Sequence, residues 1–340
     1  MRRKLGKVLF DCASRGGDLS QVKRLLLVRW DAKIGDSIVS SFFFRELRRA
    51  RPDIQIDVIT APHLAALYRD HFGVDHVYCC KKRPSYAALK KLAAETGPVD
   101  LVIHLGKQLK MKDIYFLRCL GADNVMGMDD ELDVVNIKLG HATKGRHFSE
   151  KFAYALELLG VTAPDCQYII PEDSERRQFI KHAWPVEPVV ALNPYGSGSS
   201  RRLNFNSVSM LVEQIGKYKP AWKVCLMSTP DTKVEVEKWC HELGAERVFT
   251  VKFSETIQDA IEIARLSDAV ISVDTAIVHI ASGLNKPLLA IYNYDEENFS
   301  EWHPNSNRTI SMFSSLRNGI QNVNQLEEKI LESMVEKLFL

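Results

Sequence analysis

Apolar residues in this chain fall in short continuous runs, and the stretches between them carry apolar positions at helical spacing. Ala269–Tyr292, AVISVDTAIVHIASGLNKPLLAIY, shows this alternation in compressed form. Ala269–Val273 is an apolar run of the kind that forms a strand buried on both faces, and Asp274-Thr275 stops it. A helix is expected next, with Thr275, Val278, His279 and Ser282 on one face. Gly283 or Asn285 can end it, and Pro287 opens a further strand, Leu288–Tyr292.

The same pattern predicts strands at Leu25–Trp30, Ile54–Thr60, His76–Cys80 and Asp100–Leu105, with helices after the first loop, from Pro62, and over Pro84–Glu95 and Phe148–Gly160. It restarts with strands at Pro188–Tyr195, Lys223–Thr229 and Arg247–Val251. The helices of this half are expected at Asn206–Tyr218, Thr232–Leu243, Thr256–Leu266 (with a Thr256/Asp259 capping box) and Asn324–Leu338. Strands alternating with helices imply parallel, doubly wound α/β sheets. Val161–Pro171 holds two prolines and no clear period, which suits an interdomain connection. The expected organisation is a loosely attached extension over 1–22, a Rossmann-like domain over 23–165, a second over 172–318, and a terminal helical segment over 319–340.

Length supports this division, since 340 residues exceed most single domains. A net charge of +2 with 26% charged residues gives no bulk attraction to nucleic acid, so any electrostatic recognition must be local. Seven cysteines without a C-x-x-C read as reduced thiols in a cytoplasmic protein. The apolar run Val8–Phe10 is too short for a signal-peptide core, and no run reaches 18 apolar residues. The expected location is the cytoplasm, with transient contact to a membrane surface. Arg2, Arg3, Lys4 and Lys7 either attract acidic headgroups or form a solvated tail.

The polar residues that interrupt the pattern carry the candidate chemistry. In an open α/β sheet, ligands bind where strands end and helices begin. In RLLLVRWDAKIGDSIVSS, Gly35 can take the positive φ of a sharp strand-to-helix loop and Asp36 falls at the helix start, as general base or as N-cap. Asp31 is the other acid there. Basic residues gather after two later strands: Lys81, Lys82 and Arg83, then Lys107, Lys110 and Lys112 with His104 nearby. Together they make a rim for an acidic ligand; singly, each is a solvated cation. Lys138, Lys144 and Arg146, around His141 and His147, either extend that rim or cover a loop.

In the second half, the Gly196–Ser200 loop with Arg201-Arg202 can cradle a diphosphate, although GSGSSRR is neither a Walker loop nor G-x-G-x-x-G. The helix after Asp274 offers unpaired N–H groups to an anion, with Thr275 adding a hydroxyl and His279 a ring N–H. Asp274 suits a sugar hydroxyl. The same residues also suit an Asp or Thr cap and a half-buried His, and spacing leaves both readings standing. Met227–Thr229 and Lys252-Phe253 end strands on the expected nucleotide side. Neither Asp-x-Asp nor H-E-x-x-H is present, so no metal site is expected.

SVDTAIVHIASGLNKPLLAIY resembles the D-T/S-G-x-x-H-x-A-A-x-x-x-x-P stretch of the ADP-heptose:lipopolysaccharide heptosyltransferases, glycosyltransferase family 9, with Ala276 at the usual glycine. R-W-D-A-K-I-G-D, Arg29 to Asp36, resembles that family's R-x-x-x-x-G-D-like element. R-R-L-N resembles its K-x-W-P, which sets Arg201 at the phosphate-binding Lys and puts Leu203 and Asn204 where Trp-Pro usually stands. The resemblance implies a GT-B fold, two Rossmann-like doubly wound domains facing across a cleft, with the terminal helix packing back on the N-terminal domain. It implies inverting, metal-independent transfer of heptose from ADP-L-glycero-D-manno-heptose to the acidic inner core of lipopolysaccharide, with no cofactor. Asp36 would be the base. Arg201, Asp274, Thr275, Ala276 and His279 would hold the donor, and Lys81, Lys82, Arg83, Lys107 and Lys110 the acceptor. Three other readings stay open: a related transferase using another nucleotide sugar, a nucleotide-sugar epimerase of the same fold, and a non-catalytic envelope-assembly scaffold.

Overall fold

A computed structural model of the chain describes residues 2–317 and 320–340 and divides into two compact units, 1–169 and 170–340. The expected boundary between 318 and 319 lies outside the described residues.

The first unit is a six-stranded sheet with strands β1 (Arg24–Arg29), β2 (Gln55–Thr60), β3 (His76–Cys79), β4 (Leu101–His104), β5 (Asn124–Gly127) and β6 (Ile137–Lys138). Their order is β3-β2-β1-β4-β5-β6, all parallel, the doubly wound arrangement. Its helices are α1 (Arg2–Phe10), α2 (Ile34–Val39), α3 (Ser41–Ala50), α4 (Tyr86–Thr96), α5 (Met111–Leu120) and α6 (Phe148–Leu158). β1 is central because Leu25, Leu26 and Leu27 are apolar on both faces and fully buried. At its amino end the Asp100 carboxylate accepts the N–H groups of Lys23 and Arg24, each at 2.8 Å, and Arg24 reaches buried Asp57 at 2.6 Å. The segment after Pro62 forms a 3₁₀ turn (Pro62–Leu64) and a π turn (Leu67–His71) where a longer helix is expected.

The extension over 1–22 is corrected: it is built into the first unit. α1 lies on α5 at a crossing so close that a Cβ on buried Gly6 would stand 2.8 Å from Met111 Cα. Arg3 reaches Asp129 at 2.7 Å and Glu131 at 2.8 Å, and Asp11 accepts the N–H groups of Asp133 and Val134. The cations of this segment meet the acidic residues 129–133, a pairing more than a hundred positions apart that no local pattern reveals.

The second unit repeats the plan. Strands β7 (Val189–Asn193), β8 (Lys223–Leu226), β9 (Val248–Phe249), β10 (Ala269–Val273), β11 (Leu288–Tyr292) and β12 (Thr309–Phe313) are ordered β12-β11-β10-β7-β8-β9, again all parallel. The helices are α7 (Ser174–Lys181), α8 (Phe205–Tyr218), α9 (Lys233–Glu242), α10 (Ile257–Leu266), α11 (Ala276–Gly283), α12 (Glu296–Trp302) and α13 (Glu328–Leu338). α10 starts with the expected box: Thr256 caps Asp259 N–H and the Asp259 carboxylate accepts the Thr256 N–H. Several strands are shorter at the carboxyl end than the apolar runs. Trp30, Leu105 and Tyr195 lie beyond the ends of their strands, in the loops described below.

The terminal helix is also corrected. The apolar face of α13 (Leu331, Val335 and Leu338) belongs to the core of the second unit, packed on α8, β11 and β12. Leu331 is fully buried, so Leu331→Ala should cost about 2–5 kcal/mol in a denaturant titration of the full chain. A cost below about 0.5 kcal/mol, typical of surface positions, would contradict that packing.

Candidate active site

In the second unit, β7 and β10 are neighbours with Asn193 opposite Ser272, so their polar ends emerge side by side. The Asn193 amide donates to Ser272 Oγ and to Thr275 Oγ1, both at 3.0 Å. Thr275 Oγ1 in turn accepts the Ile277 N–H at 3.3 Å, the N-cap of α11. The loop after β7 folds back on itself: Leu203 N–H reaches Pro194 O at 2.9 Å, and Tyr195 bridges Arg202, whose guanidinium lies 5.0 Å over the Tyr195 ring. Gly196 permits this, since a Cβ there would stand 2.5 Å from Arg201 O. Asn293 and Val323 donate to Ser200 O, and the Asn324 amide donates to Arg202 O, so the loop is held from outside.

That scaffold places Arg201 Nη1 2.9 Å from Asp274 Oδ2. Beside Thr275 opens a slot of about 290 Å³ lined by Tyr195, Met227, Thr229, Ile257, Thr275 and Ala276, among others. Of the expected donor residues, Thr275 and Ala276 line this slot and Arg201 with Asp274 stands next to it through the chain. His279 is buried one turn further in, edge-on to Trp302 at 6.3 Å, and does not line the slot. Lys252 and Phe253 are also elsewhere: the Phe253 ring packs on Phe179 at 4.4 Å and its carbonyl accepts from Arg176. Tyr292 was not anticipated. Its hydroxyl is buried and makes no hydrogen bond among the described residues; burial and the Asp274 charge hold its pKa well above the ordinary value, against a smaller lowering by Arg201. Its place at the end of an apolar run, where a polar tip is out of pattern, was the available signal.

In the first unit, the β1–α2 loop carries both acids. Five residues separate Arg29 from Gly35, one more than R-x-x-x-x-G-D allows, and Ala32 in this loop lies at φ 62°. Gly35, expected to supply the positive φ, is instead buried in the first turn of α2. Asp36 is half-buried in that turn, 3.8 Å from Lys33. Burial raises its pKa above the ordinary carboxylate value, while Arg29 and then Lys33 pull it down. Arg29 is buried, with Asp31 at 3.2 Å. Burial works against its charge, but Asp31, Tyr68 and Asp36 outweigh it and raise its pKa, so it stays a cation.

A cavity of about 660 Å³ gathers Lys81, Lys82, Arg83 and Lys110 with Asp31 and the amino end of α5. His104 lies in its wall against Trp30, with Nδ1 accepting the Gly106 N–H at 3.3 Å and Nε2 3.7 Å from Asp113. Lys112 lines it too, but its ammonium donates to Pro84 O. Asp36 and Lys107 are outside the lining. Lys138 donates to Asp130 O, His141 pairs with Asp130, and Arg146 lies over the Tyr154 ring at 5.7 Å; these residues cover a loop and do not extend the rim. His147 caps α6. Among the described residues no three His, Cys, Asp or Glu side chains stand together as metal ligands, and no helix is long and apolar enough to cross a membrane.

Two parallel six-stranded α/β units with polar loops at the strand ends define a GT-B-type fold. The description of glycosyltransferase family 9 (heptosyltransferase) matches residues 89–330, and the chain belongs to that family. It is 24% identical over 336 residues to an Escherichia coli K12 protein that carries the provisional name lipopolysaccharide heptosyltransferase 4, covering 94% of this chain and 88% of the other. Among solved structures it is similar to a family 9 glycosyl transferase from Veillonella parvula (TM-score 0.75, 17% identity, 96% and 98% of the two chains covered). It is also similar to the ADP-heptose lipopolysaccharide heptosyltransferase II of E. coli (TM-score 0.69, 15% identity, 92% and 98% covered).

A left-handed non-glycine residue costs roughly 1–2 kcal/mol, so Ala32→Gly should recover about 1 kcal/mol less its unfolded-state entropy, read as a raised Tm. Thr275→Val removes the α11 cap and should cost about 1 kcal/mol, read by denaturant titration without any ligand.

Proposed function

We propose that this protein transfers heptose from ADP-L-glycero-D-manno-heptose to the acidic inner core of lipopolysaccharide, with inversion, at the cytoplasmic face of the inner membrane. The observation that carries the reading is the arrangement at the ends of β7 and β10, in a chain of the heptosyltransferase family. An arginine on a scaffolded loop, a capped helix N-terminus and an adjoining slot stand there together. Arg201 and the N–H groups of α11 would neutralise the diphosphate as the sugar leaves, electrostatic work that is usually the largest catalytic term. The slot would take the nucleoside, and Asp274 a donor hydroxyl. Tyr292 is a further candidate contact. The basic cavity of the first unit suits an acceptor bearing carboxylates or phosphates.

Asp36 is the first choice of base, because burial brings its pKa toward the working range of a general base. Asp31 is the second choice, favoured by its place in the cavity lining. The deciding experiment is mass spectrometry of truncated lipopolysaccharide incubated with ADP-heptose and wild type, Asp36→Ala or Asp31→Asn. Wild type should add one heptose; loss of about 10²-fold or more in Asp36→Ala with Asp31→Asn active assigns the base, and the reverse pattern assigns Asp31. No gain on acceptors of several core lengths would sink heptose transfer. A panel of nucleotide sugars would then test a related transferase, which the Ala276 side chain in the slot lining favours.

The sign of the pH dependence follows from the charges around Asp36. A base works deprotonated, so kcat/KM should rise through an apparent pKa above the ordinary carboxylate value of about 4. Lys33 stabilises the carboxylate, and Lys33→Met should move this acid limb to still higher pH. A limb that stays fixed or moves down would remove Asp36 as the titrating base.

A further inference from the structure

α1 is amphipathic in the inverted sense. Its positions 3, 6 and 10 face inward: Arg3 pairs with Asp129, Gly6 sits against Met111, and Phe10 packs on Tyr115 at 5.1 Å. Leu5, Val8 and Leu9, at i, i+3 and i+4, share the opposite face and are 50%, 83% and 47% exposed. A helix packed on a water-facing globule normally puts its charges on that side. Here three apolar side chains stand outward, flanked by exposed Arg2 and Lys4.

We propose that this face docks on an anionic lipid surface, with Leu5, Val8 and Leu9 entering the boundary between headgroups and acyl chains and Arg2 and Lys4 among the headgroup phosphates. Charge complementarity favours this occupant. An apolar strip bordered by cations fits the interface of a bilayer carrying negative headgroups, where apolar burial and electrostatic attraction act together. A second copy on the same face would be an isologous contact and would bring those cations toward their own kind. The surface is continuous with the basic cavity: Arg2 and Arg3 line it together with exposed Lys81, Lys82 and Arg83. A chain docked through α1 would therefore present that cavity beside the headgroup layer, where a lipid-anchored acidic acceptor resides. The inference deepens the peripheral location proposed above, but lipid binding itself needs neither donor nor acceptor.

The test is flotation of the full chain with vesicles of phosphatidylcholine alone or of phosphatidylcholine with phosphatidylglycerol, using wild type, Leu5→Asp/Val8→Asp and Lys4→Glu. These side chains point outward, so circular dichroism and Tm should match wild type and exclude misfolding as the cause of lost binding. Wild type should float with the phosphatidylglycerol vesicles, about tenfold less with phosphatidylcholine alone, and the double variant should lose that flotation about tenfold. Lys4→Glu should weaken it and flatten its salt dependence, because less of the remaining binding is electrostatic. Flotation that the double variant retains, or its absence in wild type, overturns the proposal. So does a wild-type dimer by light scattering that the double variant abolishes, which would give the face to a second copy. Transfer to a soluble truncated acceptor is measured in parallel: retained transfer without flotation rejects the docking face alone, and flotation without transfer rejects the proposed reaction alone.

Discussion

The constraint on which both units depend is parallel pairing around a central apolar strand. A strand buried on both faces and hydrogen-bonded on both edges cannot carry polar side chains along its length, so they emerge at its end. β1 sits between β2 and β4, and β10 between β7 and β11. Because neighbours run the same way, all their polar ends emerge at one edge. The Asn193, Ser272 and Thr275 network is a direct product of this register: a one-residue slip of β10 against β7 would turn Ser272 to the other face and leave the Asn193 amide without its partners.

Charges brought to that edge are held in pairs before any ligand arrives. Arg201 is fixed by Asp274, and Arg29 lies between two acids while itself buried. Such pairing limits side-chain freedom, so binding costs less ordering entropy. It also sets a competition. A diphosphate bound at Arg201, as proposed, would have to share the guanidinium with Asp274 or displace it, and the five N–H donors of arginine allow sharing where the single ammonium of lysine would favour exchange. The arginine found where the family usually has lysine therefore suits a site in which the acid stays in place.

The legible parts of the fold are those written locally. β10 and β11 match their apolar runs residue for residue, and the Thr256/Asp259 box is spelled out in four positions. The Thr275 cap was legible for the same reason. What escaped depends on residues far apart in the chain. The pairing of α1 with residues 129–133 and the α13 face in the second core have no local signature. Lys107 and Lys110 are three positions apart on one loop, yet only Lys110, at the start of α5, lines the cavity. Periodicity also missed the left-handed turn at Ala32, since nothing in the residue type signals it.

The departures from the family pattern can be weighed by what each residue does in place. Leu203 is buried in the second core, and Asn204 caps α8 by accepting the Ser207 N–H at 2.9 Å while its own N–H donates to Asn324. Replacing Trp-Pro thus still leaves an apolar anchor followed by a helix start, and the loop that carries Arg201 keeps its external supports. Ala276 has no such offset. It is the first residue of α11 and lines the slot, where a glycine would leave backbone bare for an anion to approach. One substitution is absorbed by the scaffold, and the other would alter the space proposed for the donor. Of the replaced positions, Arg201 keeps the positive charge while Ala276 adds a side chain at the proposed donor site, so any difference in donor preference from the family should arise first at Ala276.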